Sequence, residues 1–407
     1  MEPVAGLSFM HGPNFSGRTR LLEEWAGVGK PRLSQFALRA YLSPDPFECL
    51  SGLAIAVADE LLIHGTPAGN YDEIEQHLGV MSLHSQLVWT LSGGELAKVV
   101  LCSALRLRPT LLAIDCTLEE LDTQTRRKAY DILAKYAQTT SAVVADNRRM
   151  AEHIDRILCT LTTTPEGVQL LPDGHRILDE PFAVVPRRLQ FSDLSAGYAN
   201  RKVLHSLHGK FEPGSVYYLS GPNGSGKSTL AKVLAGVLVP STGQLLLDGA
   251  THLPWRTGNR VLALHFQNPD IGRTQDTLRL EAEAMFRRLS SVERSAEART
   301  YCRKWADAFG LSRVYNEPTL SLPYVLRKRV DLCACLASGA SWYFLDEPTL
   351  GQDDQFVCNL AMMLAALRDA GAGLIIVSHD NPLEEHLPGV RLELNSGVLS
   401  GPATHQT

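Results

Sequence analysis

The chain has 407 residues, 44% of them hydrophobic, with a formal net charge of -5 and a sequence pI near 6.2. That length allows two ordinary cores, and the acidic balance excludes the bulk positive field that collects nucleic acid or anionic lipid. The eight cysteines never fall into C-x-x-C spacing, which argues against a zinc or dithiol site and for reduced, mostly buried thiols.

Read from the N-terminus, the chain shows no basic stretch followed by an apolar run, and Leu50 to Ala58 is too short to cross a bilayer. The expectation is a cytoplasmic protein, or one held peripherally on the cytoplasmic face of a membrane by other subunits. "HGPNFSGRT" (His11 to Thr19) is followed by "LSGGE" (Leu91 to Glu95), which opens a helical run leading to "LLAIDCTLEELD" (Leu111 to Asp122). A polar stretch with Pro165, Pro172, Pro181 and Pro186 then marks a boundary, giving expected domains 1–182 and 188–407. Beyond it, "SGPNGSGKST" (Ser220 to Thr229) echoes the first loop 209 residues on, Gly12 to Gly221. "WYFLDEPTLGQD" (Trp342 to Asp353) echoes the second segment 231 residues on, Asp115 to Asp346. Two homologous domains in tandem account for both echoes. Short β-rich runs such as Val216 to Leu219, Tyr343 to Leu345 and Leu374 to Val377 alternate with helical patterns. The predicted fold is α/β, each domain having a mostly parallel sheet with ligands at the strand C-termini.

The second loop carries the most chemistry. "GPNGSGKST" fits G-x-x-x-x-G-K-[ST] between an apolar strand and a helical run. Gly221, Gly224 and Gly226 let the backbone of Gly221, Pro222, Asn223, Gly224, Ser225 and Gly226 turn tightly and aim N–H groups at phosphate oxygens. Lys227 is placed to reach the β- and γ-phosphates of ATP, Ser228 to offer its hydroxyl to Mg²⁺, and Thr229 continues into the helix whose N-terminal dipole favours anions. Asp346 ends a buried strand and suits a Mg²⁺ ligand, while Glu347 is placed to orient or deprotonate the attacking water. His379 and Gln267, each just past a strand, are expected at the γ-phosphate and at Mg²⁺ with the attacking water.

Together the loop, Gln267, "FLDEPT", "VSHD" and the first half's "LSGGE" make the chain resemble the ATP-binding cassette (ABC) ATPases over nearly its whole length. The resemblance implies a helical signature subdomain in each half, and two cassettes facing head to tail, within the chain or with a second copy. Each ATP then lies between one phosphate loop and the other cassette's LSGGE helix, where Ser92, Gly93, Gly94 and Glu95 approach the γ-phosphate and Asp122 joins the composite site. Tyr198 stands where the family carries an aromatic on adenine; in the first half, with Met1 to His11 ahead of Gly12, the strands that bear it are expected to be missing or shortened.

Motif by motif, the halves differ. The first has Arg18 for Lys227, Phe15 for Gly224, Cys116 for Glu347 and Asp146 for His379, but keeps Thr19 and Asp115. The second reads "LSLPY" (Leu320 to Tyr324) against "LSGGE", with Leu322 and Pro323 in place of glycines. One composite site is therefore expected to be complete, and the other to be catalytically dead, at most a static nucleotide clamp.

"HFQNPD" (His265 to Asp270) and "SPDPFECLSGLAIAVADELLIHG" (Ser43 to Gly65, with Leu42 or Ser43 replacing the glutamine) resemble energy-coupling factor ATPases, which drive vitamin and metal-ion uptake with integral membrane subunits. The alternative is a transporter-independent ABC ATPase acting in translation, repair or regulation. The short Pro-rich linker and the lack of long heptad insertions speak against the first two of these.

Overall fold

Strands whose two faces are both covered by helices read as continuous apolar runs. Leu111–Asp115 is such a strand, buried at every position, and Trp342–Asp346 is another, buried up to its half-buried terminal aspartate. The computed structural model describes residues 6–11, 18–28, 38–63, 71–146, 157–160, 184–198, 201–222, 224–257, 261–289, 295–378 and 382–402. The chain divides into two compact units, one of residues 1–167 with 350–354, the other of residues 168–349 with 355–407.

In the first unit the order is β1 (Gly6–His11), α1 (Arg18–Ala26), β2 (Arg39–Leu42), α2 (Val57–Ile63), α3 (Tyr71–Leu78), α4 (Gly93–Arg106), β3 (Leu111–Asp115), α5 (Thr123–Tyr136), β4 (Ser141–Ala145) and β5 (Ile157–Thr160). The sheet runs β2-β3-β4-β1-β5, every pair parallel. One face packs on α4 and α5 through Leu96, Val100, Leu112, Ile114, Leu133 and Val144, all buried.

The second unit opens with β6 (Leu189–Tyr198), β7 (Arg201–Phe211) and β8 (Val216–Ser220). There follow α6 (Lys227–Leu234), β9 (Thr242–Leu247), β10 (Ala250–Thr251), α7 (Pro254–Thr257), β11 (Leu262–His265), α8 (Leu278–Leu289), α9 (Ser295–Ala308) and α10 (Tyr324–Leu336). It closes with β12 (Trp342–Asp346), α11 (Asp354–Asp369), β13 (Gly373–Val377), β14 (Val390–Asn395) and β15 (Val398–Ser400). Its main sheet runs β11-β12-β13-β8-β14-β15, parallel except for the closing hairpin. A second sheet, β10-β9-β6-β7, is antiparallel. Phe211, Tyr217 and Trp342 fill the layer between the two sheets, with ring centroids 4.7 to 6.3 Å apart. Among the described residues the first unit has no counterpart of this antiparallel sheet.

The two main sheets share one strand order: β2, β3, β4, β1 and β5 take the places of β11, β12, β13, β8 and β14. Registers match as well, since Asp115 pairs with Ala145 and Met10 with Ala145, as Asp346 pairs with Val377 and Leu219 with Val377. No helix among the described residues is long and apolar enough to cross a membrane.

Candidate functional site

In the second unit β8 ends at Ser220, and the chain turns before entering α6 at Lys227. Gly221 (φ +147) and Gly226 (φ +109) make the turn possible. A Cβ on Gly221 would lie 2.0 Å from the Leu394 carbonyl oxygen, and one on Gly226 would lie 2.7 Å from the Leu204 side chain. The Ser225 N–H donates to the Pro222 carbonyl, and the Gly397 N–H, from the β14–β15 turn, donates to the Ser225 carbonyl, each at 3.1 Å. No side chain caps the α6 N-terminus, which leaves its first N–H groups to a ligand. Lys227 Nζ donates to the carbonyls of Gly221 (2.7 Å) and Pro222 (3.2 Å). Burial lowers the Lys227 pKa, while Asp346 and Glu347 act to raise it. One ammonium and two carboxylates therefore share one electrostatic neighbourhood.

Asp346 closes β12, and Glu347 follows in the left-handed region (φ +50), its N–H donating to the Val377 carbonyl at 2.9 Å. Gln267, half-buried, lies two residues past β11. Ser228 is exposed and Thr229 buried in the first turn of α6, and Gly224 (φ +78) has open space where a Cβ would be. Tyr198, 45% exposed, ends β6 with Lys232 Nζ of α6 5.5 Å from its ring centroid. Asn223 and His379 lie outside the described residues.

Sequence reasoning missed the supports beneath Gln267. His265 Nδ1 lies 2.6 Å from Asp331 Oδ2, both largely buried, and Asp270 accepts from Arg327 Nη1 at 2.6 Å and Arg273 Nη2 at 2.9 Å. A histidine inside the apolar strand "LALHF" was the signal available for this.

In the first unit Ser92 and Glu95 form a reciprocal capping box at the start of α4. Ser92 Oγ accepts from the Glu95 N–H at 3.3 Å, and Glu95 Oε2 accepts from the Ser92 N–H at 2.9 Å. Gly93 and Gly94 form the first turn of that helix. The Asp122 carboxylate caps α5 by accepting from the Thr125 N–H at 2.9 Å. Gly12 and Phe15 lie outside the described residues, but the residues matching Lys227, Asp346 and Glu347 are visible. Arg18 is buried, donating from Nη1 to the Asp146 carbonyl at 3.1 Å, with Nη2 3.9 Å from Cys116 Sγ. Asp115 is buried and takes hydrogen bonds from Thr19 and from Tyr41 Oη at 3.2 Å; burial raises its pKa against their effect. Cys116 sits in the same left-handed turn as Glu347 (φ +55), its N–H donating to the Ala145 carbonyl at 2.8 Å, and burial holds its thiol protonated.

Structural register corrects three sequence alignments. Because Ala145 and Val377 are equivalent, Asp146 stands opposite Ser378, and the position matching His379 is Asn147, outside the described residues. Leu42 pairs with Ile114 as His265 pairs with Leu345, so Pro44, rather than Leu42 or Ser43, takes the place of Gln267. In the helical subdomains Met81, Val88, Gly93 and Leu111 begin elements matched by those starting at Ser312, Thr319, Tyr324 and Trp342, a constant spacing of 231. The repeated Leu-Ser pair had aligned LSGGE with Leu320 to Tyr324, two residues early. In the structure Pro323 replaces Ser92 as the helix cap, making no side-chain cap bond, and Tyr324 and Val325 stand where Gly93 and Gly94 do.

Residues 204–350 match the family described as ABC transporter. A putative ABC transporter ATP-binding protein of Pyrococcus furiosus is 32% identical over 49% of this chain and 76% of its own length. The energy-coupling factor transporter ATP-binding protein EcfA1 of Thermotoga maritima is 31% identical over 47% of this chain and 73% of its own. An uncharacterized ABC transporter ATP-binding protein of Mycobacterium tuberculosis is 29% identical over 87% of this chain; the chain spans about half, 52%, of that relative. Among solved structures, one titled RNase-L Inhibitor superposes with a TM-score of 0.62 at 18% identity, over 98% of this chain and 88% of its own. That likeness speaks to the fold.

Proposed function

Since the chain belongs to the ABC transporter ATP-binding family, we propose that it is a two-cassette ATPase subunit of an uptake transporter of the energy-coupling factor type. Its domains are read as residues 1–182 and 188–407. The observation that carries the ATPase reading is the convergence of Lys227, Asp346 and Glu347 at the C-terminal edge of one parallel sheet, beside an uncapped helix N-terminus. Binding a triphosphate there exchanges the loop carbonyls now held by Lys227 for phosphate oxygens, restoring a counter-charge to a desolvated ammonium. Ser228, Asp346 and Gln267 offer oxygen ligands, the set that suits Mg²⁺, and an ion held by them would supply positive charge against that developing on the transferred phosphoryl group. Glu347, fixed by the Val377 hydrogen bond, orients the attacking water as base. Gln267 and His379 complete the shell around the γ-phosphate, and Tyr198 supports adenine.

The first unit supplies Ser92, Gly93, Gly94, Glu95 and Asp122 to this site, by pairing within the chain or with a second copy. Its own centre is read as hydrolytically inert, because Asp115 is engaged by Thr19 and Tyr41 and a protonated thiol replaces the carboxylate. The relative matching 87% of this chain supports a single continuous two-cassette unit, and the EcfA1 likeness supports the uptake reading.

Purified chain is expected to hydrolyse Mg-ATP and to lose both binding and turnover in Lys227→Ala. Unchanged turnover in that variant would sink the site assignment. Purification from membranes should bring an integral membrane protein with it; recovery with ribosomes instead would favour a transporter-independent role.

A further inference from the structure

Helices α8 and α9 of the second unit border, with the turn at Tyr315, an open surface hollow of about 650 Å³ well away in sequence from the phosphate loop. Small-molecule sites have volumes of roughly 300–1,000 Å³. Arg279, Arg299, Arg303 and Lys304 line it against two carboxylates, Glu283 and Asp307, so an acidic chain carries a locally positive hollow here. Both carboxylates are ion-paired, but Glu283 Oε1 is buried without a hydrogen bond. Glu283, 4% exposed, has the guanidinium nitrogens of Arg279, Arg287 and Arg299 at 3.7, 3.6 and 3.9 Å, and Asp307 has Arg303 Nε at 3.3 Å and the Ser312 hydroxyl. A buried donor stands in the same hollow: Tyr315 is 5% exposed, lies under the Arg303 guanidinium at 4.9 Å, and its hydroxyl has no hydrogen-bond partner. Buried hydroxyls are rarely left so, because desolvation goes uncompensated.

The cassette architecture does not require this cluster. Aligning α2 with α8 by their first residues, Val57 and Leu278, and α3 with α9 at the 231-residue spacing, the first unit carries Ala58 and Leu62 where Arg279 and Glu283 stand, and Asp72 and Glu73 where Arg303 and Lys304 stand. On a shared scaffold the basic pair of α9 is replaced by acids and the charged pair of α8 by apolar residues. We propose that this hollow binds a small phosphate monoester, its oxyanion held by the forked guanidiniums of Arg303 and Arg279 and by the Tyr315 hydroxyl. Arginine forks match the geometry of phosphate oxygens, and the unbonded Glu283 Oε1 gives a hydroxyl group of the ester an acceptor.

The test is calorimetric titration of the full chain carrying Lys227→Ala, which removes the phosphate loop as a competing site, with ribose 5-phosphate, inorganic phosphate and ribose as probes. Saturable binding of ribose 5-phosphate, tighter than that of inorganic phosphate and absent with ribose, is expected. Adding Tyr315→Phe or Arg303→Ala should weaken it tenfold or more, with thermal unfolding of the Tyr315→Phe protein unchanged. No binding, equal binding by these variants, or inorganic phosphate binding as tightly as the ester would overturn the proposal. So would binding only of polyglutamate, which would make the hollow a protein-docking surface.

Discussion

The two units share a strand order, a hydrogen-bond register and even a left-handed residue after the strand aspartate, yet their chemistry diverges at single side chains. In the second unit the turn presents a carboxylate and the lysine sits on loop carbonyls that a phosphate can replace. In the first, Arg18 and Tyr41 reach inward and satisfy the groups a nucleotide would need. The signature helices diverge in the opposite sense, with glycines and a capping box on α4 against proline, tyrosine and valine on α10. A scaffold set by backbone hydrogen bonds and apolar packing thus outlives the loss of its reactive groups, because those contribute little to stability.

The largest effect that tests this contrast is Glu347→Gln, which should lower ATP turnover by roughly a hundredfold or more while nucleotide still binds. Cys116→Ala should leave turnover within about twofold on the same argument. A large loss from Cys116→Ala would show that the first centre works. Next, Gly93→Asp should reduce turnover about as severely as Glu347→Gln by blocking backbone approach to the γ-phosphate, whereas Val325→Gly on α10 should change little; turnover assays of both variants decide whether only one signature is used. Third, His265→Leu alone should cost about 3 kcal/mol in denaturant unfolding, because it strands the Asp331 carboxylate, while His265→Leu with Asp331→Val, matching the Leu42 and Val100 of the first unit, should recover most of that loss. Failure of the pair to recover would mean that the buried pair is not the unit of stability there. The smallest expected effect is Ser92→Ala, about 1 kcal/mol of stability from the lost cap, with no comparable loss for Pro323→Ala, whose residue makes no cap bond.

Much of this was legible in the sequence, for physical reasons that differ by element. The phosphate loop and the strands ending in Asp115 and Asp346 were readable because glycine and unbroken apolar runs answer to local geometry. The signature position in the second unit was misread by two residues because a Leu-Ser pair recurs there by coincidence, and letters can slide where helix starts and strand partners cannot. Pro44 and Asn147 were misplaced for the same reason. The His265–Asp331 pair and the Tyr315 hollow were invisible because they join residues 66 and 36 positions apart, Asp331 to His265 and Tyr315 to Arg279, on separate elements.

The left-handed turn at Cys116 carries one further consequence. Such a conformation costs a β-carbon-bearing residue about 1–3 kcal/mol, and here it is kept where no carboxylate rewards it, pinned by the same strand-to-strand hydrogen bond as at Glu347. The strain is therefore a property of the mould and not of the chemistry cast in it. At this turn the two units differ in side chain and agree in backbone, so a carboxylate placed at Cys116 would meet the same left-handed geometry that holds Glu347.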